Sequence, residues 1–291
     1  MKKIACLFLS FLLVFGLSLP VLAEQNPSVI HGLKKNHEIV QLIASGSDYL
    51  VGANLPASGE ITPQWASGGI DHTHQFLTAQ ALEILYADKS SKVASLLTLY
   101  ASDLLTGSDW PDTSENDSGL YISHFYDPYT GRTFIAGWTT ALNRFTTHAN
   151  NAKKYYAKNK SLAMQELGRA LHYLADINEP HHAALMGITT NHAAYENWVD
   201  IYRTDFKVTS STMYTSINID AKRYYTAYCT ALFQSAAKNA YTWADAVSAS
   251  DSYPSDVWRA SAADTLSYAQ QSMAAFLYNF LYSVGAIRLT K

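Results

Sequence analysis

Residues 167–182, with the sequence LGRALHYLADINEPHH, combine a helical apolar pattern with metal-binding side chains. Leucines recur at helical spacing along the stretch, and Pro180 marks the end of the predicted helix. His172 and Asp176 are four residues apart, so a helix projects them from one face, with Cβ atoms about 5–6 Å apart. An ionised Asp on a partly apolar face needs a partner, and this spacing suits two ligands of one metal ion.

A second pair follows in NHAAYENWVD, residues 191–200, where His192 and Glu196 are again four apart. Either pair alone is typical of an exposed helix, where it contributes only a few tenths of a kcal/mol. The two pairs lie close together in the chain, and His182 stands between them just after the proline turn. Neutral histidines and ionised carboxylates are the ligands of hydrolytic zinc sites. Together the pairs therefore predict a zinc centre.

Helical periodicity continues on both sides of these motifs. Gly107 is predicted to end a helix, and residues 108–135, rich in Gly, Pro, Asp and Ser, are predicted to form a long irregular loop. The sequence shows no convincing alternating strand, no internal repeat and no glycine-rich nucleotide loop. We therefore predict an all-α domain, a multi-helix bundle with a metal cleft between its helices. The predicted helices are residues 70–85, 93–105, 137–159, 161–177, 191–206, 220–249 and 255–286.

The N-terminal segment differs in composition from the rest. Residues 1–23 have the layout of a secretory signal peptide, with two lysines, an apolar run and Ala23 at the cleavage point. We therefore expect a secreted, extracellular protein. Residues 24–64 show no sustained period and contain three prolines, which we interpret as a propeptide. Residues 65–291 would then form one folded domain.

Charge and cysteine content narrow the function. The formal net charge of −3 argues against a broad electrostatic grip on nucleic acid, so no nucleic-acid partner is expected. Only Cys229 remains after signal removal, so no intrachain disulfide can form. A bound metal is another way to stabilise an exported domain.

Other histidines and acids stand alone in the sequence. His74 opens the first predicted helix, His124 lies in ISHFYDP, and Asp109 lies in GSDWPD. Spacing alone would not select them, because a lone His or Asp in a loop is more often a turn or cap residue. The remaining histidines have no partner at ligand spacing and are expected to be solvated or capping, or to lie in the leader: His31, His37, His72, His148 and His181.

The ordered set Trp65, His74, Asp109, SHFYDP, LHYLADINEPHH and HAAYENWVD resembles the bacterial zinc-dependent phospholipases C. These are the enzymes of bacilli and listeriae and the catalytic domain of clostridial alpha-toxins. The resemblance runs from Trp65 to about Val208. It implies a secreted metallophosphodiesterase that cleaves phospholipids such as phosphatidylcholine to diacylglycerol and a phosphorylated head group. The implied partners are a phospholipid surface and an activating protease, and the implied state is a monomer.

The resemblance also implies up to three zinc ions per chain. His124, His172 and Asp176 would hold the first, and His182, His192 and Glu196 the second. The third would take the amino group and carbonyl oxygen of Trp65, with His74 and a shared, bridging Asp176. Asp109 would act as the general base on the attacking water. Zinc lowers the pKa of bound water towards about 7, in keeping with this chemistry.

Cleavage before Trp65 would activate the precursor. Before cleavage the Trp65 nitrogen is an amide without an available lone pair, and afterwards it is an α-amine with a pKa of about 8.

Trp110 and Tyr121 match the family's aromatic choline contacts, since ring faces attract quaternary ammonium. Asp71 is the only acid between Trp65 and His74, where bacillary enzymes carry a Glu, so the head-group preference stays open.

Two alternatives remain. A secreted single-strand-specific nuclease shares the trinuclear zinc site and the N-terminal Trp, but usually has Asp at the position of Glu196 and carries disulfides. The second alternative is a helical binding protein in which zinc only stabilises the fold. Structural zinc sites are closed and have no additional base beside the ion, so the presence of Asp109 disfavours a purely structural role for zinc.

Overall fold

A computed structural model of the protein describes residues 27–47, 73–187, 190–249 and 256–288. Within these ranges there are eleven α-helices and no β-strand, and the one β-bridge joins Asp127 and Arg132. The all-α prediction is thus confirmed. The helices are α1 (Pro27–Ala44), α2 (Thr73–Asp88), α3 (Ser91–Thr98), α4 (Ala101–Ser114), α5 (Ala141–Tyr155), α6 (Lys160–Asp176), α7 (Pro180–Ala183), α8 (His192–Tyr202), α9 (Tyr225–Tyr241), α10 (Ala244–Ser248) and α11 (Asp256–Ser283).

Helix α6 lies at the centre of the bundle, packed against α4 on one side and α5 on another. The Asn159 side chain caps its first turn by accepting the Leu162 N–H. The long helix α11 packs against α2 and α9, and Phe145, Phe233 and Phe276 meet in the shared core. Because α6 is surrounded, its last turns are buried, and the motif residues on it lie inside the protein.

Gly107 does not end a helix, which corrects the prediction. It lies inside α4, and the first seven residues of the predicted 108–135 loop are helical. A side chain at Gly107 would collide with the backbone of Gln165, and one at Gly168 would collide with the backbone of Leu104. These glycines let α4 and α6 approach backbone to backbone. Close packing therefore outweighs the low helix propensity of glycine.

This crossing predicts a large effect of a single methyl group. Gly168→Ala should lower the free energy of unfolding by about 1–3 kcal/mol, the usual cost of overpacking, because the obstructing atoms are backbone. The zinc content should also fall, because α6 carries the predicted ligands His172 and Asp176 and its packing against α4 positions them. Denaturant unfolding and elemental analysis measure the two effects. Gly32→Ala is the control, because a methyl group there meets nothing within 4 Å. Equal stability of the two variants would contradict the packing argument.

The segment interpreted as a propeptide contains helix α1, a correction to the absence of periodic structure expected there. Val40 and Ile43 are buried in the main core, and the Asn36 amide donates to the carbonyls of Thr98 and Leu99. The helix therefore packs as part of the bundle. The sequence hid this because a short apolar stripe is interrupted by polar residues that face solvent.

Within the part of the chain that the structure describes, no helix has the length and apolarity needed to cross a bilayer. The predicted signal peptide, Asp71, His72 and the proposed new N-terminus at Trp65 lie outside the described residues.

Candidate metal centre

The first group of metal-binding side chains surrounds Asp176 at the end of α6. Asp176 Oδ2 lies 2.9 Å from His124 Nδ1 and 3.1 Å from His172 Nε2. Asp176 Oδ1 lies 3.3 Å from His74 Nε2. All four residues are at most 2% exposed. A carboxylate whose two oxygens contact different imidazoles has the arrangement of a bridge between two metal ions.

Backbone carbonyl groups orient the histidine rings. His172 Nδ1 lies 2.8 Å from the carbonyl oxygen of Ser108, and His124 Nε2 lies 3.3 Å from that of Glu115. His182 Nδ1 lies 3.0 Å from the carbonyl oxygen of His124. A carbonyl only accepts, so each of these ring nitrogens must donate. The other nitrogen of each ring then lies beside the buried acids, where it could bind a metal ion, as in metal-binding histidines.

Asp112 belongs to the same group, although it is not among the site residues predicted from the sequence. Asp112 Oδ1 lies 3.4 Å from His172 Nε2 and 3.7 Å from His124 Nδ1, and Oδ2 lies 3.9 Å from His74 Nε2. Asp112 follows Ser108 by one helical turn on α4, so the Asp112 carboxylate and the Ser108 backbone carbonyl both reach His172 on α6. The signal was this helical spacing, which is lost when residues 108–114 are taken as a loop.

Burial and charge set the protonation of this group. Burial, together with His172, lowers the pKa of His74 to about 4, so its ring is neutral at physiological pH. For His172, burial opposes the charged form, but Asp176 and Asp112 prevail and raise its pKa well above the usual value. For Asp176, burial is outweighed by His172 and the pKa lies well below the ordinary range. The buried acids thus attract a cation, and a zinc ion would displace the proton of His172.

The second group lies beyond the turn that follows α6. Its members are all buried, and their ligand atoms lie within 4.8 Å of one another: Glu179, His182, His192 and Glu196. Glu196 Oε1 lies 3.2 Å from His182 Nε2 and 2.9 Å from His192 Nε2. The structure thus brings the three predicted ligands together and adds Glu179.

His148 is buried, which corrects the expectation that it is solvated or capping. His148 Nδ1 lies 2.8 Å from Glu166 and Nε2 lies 3.0 Å from Glu115, whose carboxylate also accepts from Tyr173 and Arg144 at 2.7 Å. Burial would raise the pKa of Glu115, but the hydrogen bond with His148 and the other partners lower it to about 2. This network holds the backbone that orients His124.

His181 is also buried, again contrary to expectation. It contacts Glu179 at 2.6 Å and Asn191 at 3.0 Å. In the N-terminal helix, His31 is exposed, and His37 is half-buried against Glu83 at 2.8 Å. Neither of these two joins the buried groups.

The residues proposed for water activation and head-group contact lie on α4 and the loop after it. Asp109 accepts a hydrogen bond from Gln75 on α2 at 2.5 Å. The Arg169 guanidinium lies 3.8 Å above the ring of Trp110. Tyr121 has a left-handed backbone with φ 51, and its ring meets His124 at a centroid distance of 5.4 Å. Their functional roles stay predictions.

Comparison with known proteins agrees with this site. The zinc dependent phospholipase C family profile matches residues 73–243. A phospholipase C of Paraclostridium bifermentans is 28% identical over 73% of this chain and 59% of its own. One from Bacillus cereus is 32% identical over 53% of this chain and 59% of its own. The chain therefore spans less than two thirds of these curated relatives.

A solved structure shares the fold. The alpha toxin from Clostridium absonum superimposes with a TM-score of 0.64 and 22% identity, over 78% of this chain and 66% of the toxin chain. At this identity the likeness concerns the fold alone. Because the family profile covers more than half of the sequence, the protein belongs to the zinc-dependent phospholipase C family. The resemblance stated from the motifs is confirmed, and so is zinc as the cofactor, since the buried donors fit it.

Proposed function

We propose that the protein is a secreted zinc-dependent phospholipase C that converts phospholipids such as phosphatidylcholine to diacylglycerol and a phosphorylated head group. The observation that carries the proposal is the bridging arrangement of Asp176, whose two oxygens serve His74 on one side and His124 with His172 on the other. A phosphodiester needs charge neutralised on both attacking and leaving oxygens, and paired metal ions supply this.

The proposed ligand sets follow the donor groups. His124, His172 and Asp176 would hold one zinc ion, and His182, His192 and Glu196 a second. His74 and Asp176 would hold a third with the amino group and carbonyl oxygen of Trp65. Bound zinc would lower the pKa of water and neutralise phosphate charge. The protein side chains orient these ions and hold an ionised acid beside them.

We further propose that Asp112 activates the attacking water. Its pKa is lowered because, although burial raises it, the charge and hydrogen bond of His172 prevail. It is therefore ionised at neutral pH and can accept a proton from the water while the water oxygen bonds to phosphorus. The bond from phosphorus to the glycerol oxygen breaks, and that oxygen leaves with the bonding electron pair and takes up a proton from solvent. Asp109 was the base predicted from sequence, and its contact with Gln75 suits a role in positioning α2.

Two matched variants separate the acids. Asp112→Asn should lower kcat by roughly 10²–10⁴-fold, the scale of general-base loss. Asp109→Asn should leave kcat within a few-fold, because an amide oxygen can still accept from Gln75. Initial rates on phosphatidylcholine and zinc content are measured for both. A large loss in Asp109→Asn with full zinc content would restore Asp109 as the base.

Head-group recognition gives another expected result. Tyr121→Ala should reduce turnover of choline lipids more than that of lipids with uncharged head groups, because only a cation gains from the ring face, by about 0.5–2 kcal/mol. Trp110→Ala should instead change both substrates alike, because Arg169 already occupies a face of that ring. Rates on both lipid classes give the ratio. A choline-specific loss in Trp110→Ala would restore its predicted contact role.

The reaction itself is tested by product analysis. The purified, processed protein is incubated with phosphatidylcholine vesicles and, separately, with single-stranded DNA. Release of diacylglycerol and phosphocholine, abolished by chelation, supports the proposal. DNA cleavage without lipid products would favour the nuclease alternative. If the zinc-loaded protein has neither activity, the result would favour the alternative of a binding protein whose metal is structural. The proposed monomer, the activating protease and secretion are tested by the mass and N-terminus of the exported protein.

A further inference from the structure

The second donor group contains an acid for which the motifs provide no role. Glu179 is fully buried in the turn between α6 and α7. Its Oε2 accepts the N–H of His182 at 2.8 Å and lies 3.7 Å from His192 Nε2. Its Oε1 lies 2.6 Å from His181 Nδ1. Glu179 therefore presents one oxygen to the donor group and the other to a buried histidine behind it.

The spacing of the donors fits a single small ion. In a tetrahedral zinc site with bonds of about 2.0–2.1 Å, ligand atoms lie roughly 3.3–3.4 Å apart. The Glu196 oxygen lies 3.2 Å from His182 Nε2 and 2.9 Å from His192 Nε2, and the Glu179 oxygen lies 3.7 Å from His192 Nε2. With all four atoms within 4.8 Å of one another, a fourth protein ligand is within reach.

Charge points the same way. Glu179 and Glu196 are 0% and 1% exposed, and both contribute an oxygen to the same small group. Two buried carboxylates this close repel each other and lose hydration, which is costly unless cations compensate, and His181 faces only the Oε1 side of Glu179. A divalent ion between them compensates both charges at once.

We propose that Glu179 is the fourth protein ligand of the His182, His192 and Glu196 zinc ion. A site with four protein ligands is closed, which is the structural type of zinc site. This ion would then join α7 to α8 and leave water activation to the group around Asp176. The inference rests on the proposed function, because it requires that zinc binds these residues.

A supporting chain of contacts fixes the proposed ligand. His181 Nε2 lies 3.0 Å from Asn191 Oδ1, and the Asn191 amide donates to the Val247 carbonyl at 2.8 Å. The His181 ring also stacks on His192 at a centroid distance of 5.0 Å. Glu179 is therefore held in place from behind, and only a small shift of Oε2 separates it from a coordination bond.

The direct test is a crystal structure of the zinc-loaded, processed protein with anomalous data at the zinc edge. We expect a zinc–Oε2 distance of about 2.0–2.2 Å, the range for carboxylate ligands. A zinc ion on His182, His192 and Glu196 with water in the fourth position would overturn the inference but leave the proposed function intact. Absence of zinc from all donor groups would overturn both.

A pair of variants tests the consequence for affinity. Glu179→Gln keeps the shape and an oxygen for the His182 N–H but loses the charged ligand. Competition with a chelator should show one zinc ion bound at least about 10-fold more weakly, since even outer partners of ligands are worth that much. Asp103→Asn is the control, because Asp103 bonds Ser161 and Gln165 away from the donor groups and from the residues that orient them. Equal zinc affinity in Glu179→Gln and the wild type would contradict the role.

Discussion

A precursor that resists cleavage before Trp65 should bind its third zinc ion poorly and show little activity. The reason is chemical, because an amide nitrogen cannot coordinate zinc and an α-amine can. His74 and Asp176, 3.3 Å apart, then lack the partner that completes their site. We expect a rate on the order of 10²–10³-fold below that of the processed protein, the scale on which one charge-stabilising group acts. Zinc content and phosphatidylcholine turnover are compared before and after cleavage.

A one-residue extension before Trp65 is the sharper comparison. The extension leaves every side-chain ligand in place and moves only the free α-amine one residue away from Trp65. It should therefore reproduce the low activity. Full activity and full zinc occupancy in an uncleaved precursor would mean that the leader only assists folding or secretion, and would refute the activation chemistry.

Helix α1 adds a structural aspect to this activation. Val40 and Ile43 are part of the buried core, and Gln80 on α2 donates to the Ala44 carbonyl. Cleavage of the chain before Trp65 therefore does not by itself remove α1. Zinc binding should be measured on cleaved protein both with and without the bound leader peptide, so that the chemistry of the new amine is separated from loss of the helix.

Asp176→Asn should have the largest effect of any single substitution in the site. Asp176 supplies one oxygen to His124 and His172 and the other to His74, and an amide offers only one acceptor oxygen for two ions. Two zinc ions should therefore be lost or bound weakly, and activity should fall at least as far as in any general-base variant, by more than about 10²-fold. Elemental analysis and thermal unfolding with and without chelator measure the result.

The control is Asp103→Asn on α4, because Asp103 bonds Ser161 and Gln165 away from the donor groups. It should keep wild-type zinc content and rate. If Asp176→Asn also kept full zinc content, the bridging role would have to be abandoned. Chelation should lower the unfolding temperature of the control more than that of Asp176→Asn, because the variant has only the zinc ion of the His182, His192 and Glu196 group left to lose and a ligand stabilises only the state that binds it.

Sequence prediction failed at the residue types that usually interrupt helices, glycine and proline. Gly107 predicts the end of a helix and Pro111 falls in the predicted loop, yet α4 runs through both. The glycine is there because α6 packs against it, which is a contact between distant parts of the chain. With residues 108–114 taken as a loop, the helical phase that turns Asp112 towards His172 could not be used. One error of local structure thus led to the omission of a site residue.

The prediction that His148 and His181 are solvated or capping failed for a related reason. His148 and His181 have no acid four residues away, so local spacing provides no sign of a partner. Glu115 lies 33 residues from His148 in sequence, and Glu179 lies only two from His181 but faces it across a turn. Such partners depend on how helices and turns pack, which hydrophobic periodicity does not specify.

The sequence by itself determined the all-α class and the ligands that share a helix. His172 with Asp176 and His192 with Glu196 are neighbours because the pitch of a helix makes them so, whatever surrounds it. Only the tertiary structure decided that Asp112 and Glu179 join the donors and that Arg169 covers Trp110. Contacts between distant elements depend on where helices cross, and here a close glycine crossing of α4 and α6 sets that position.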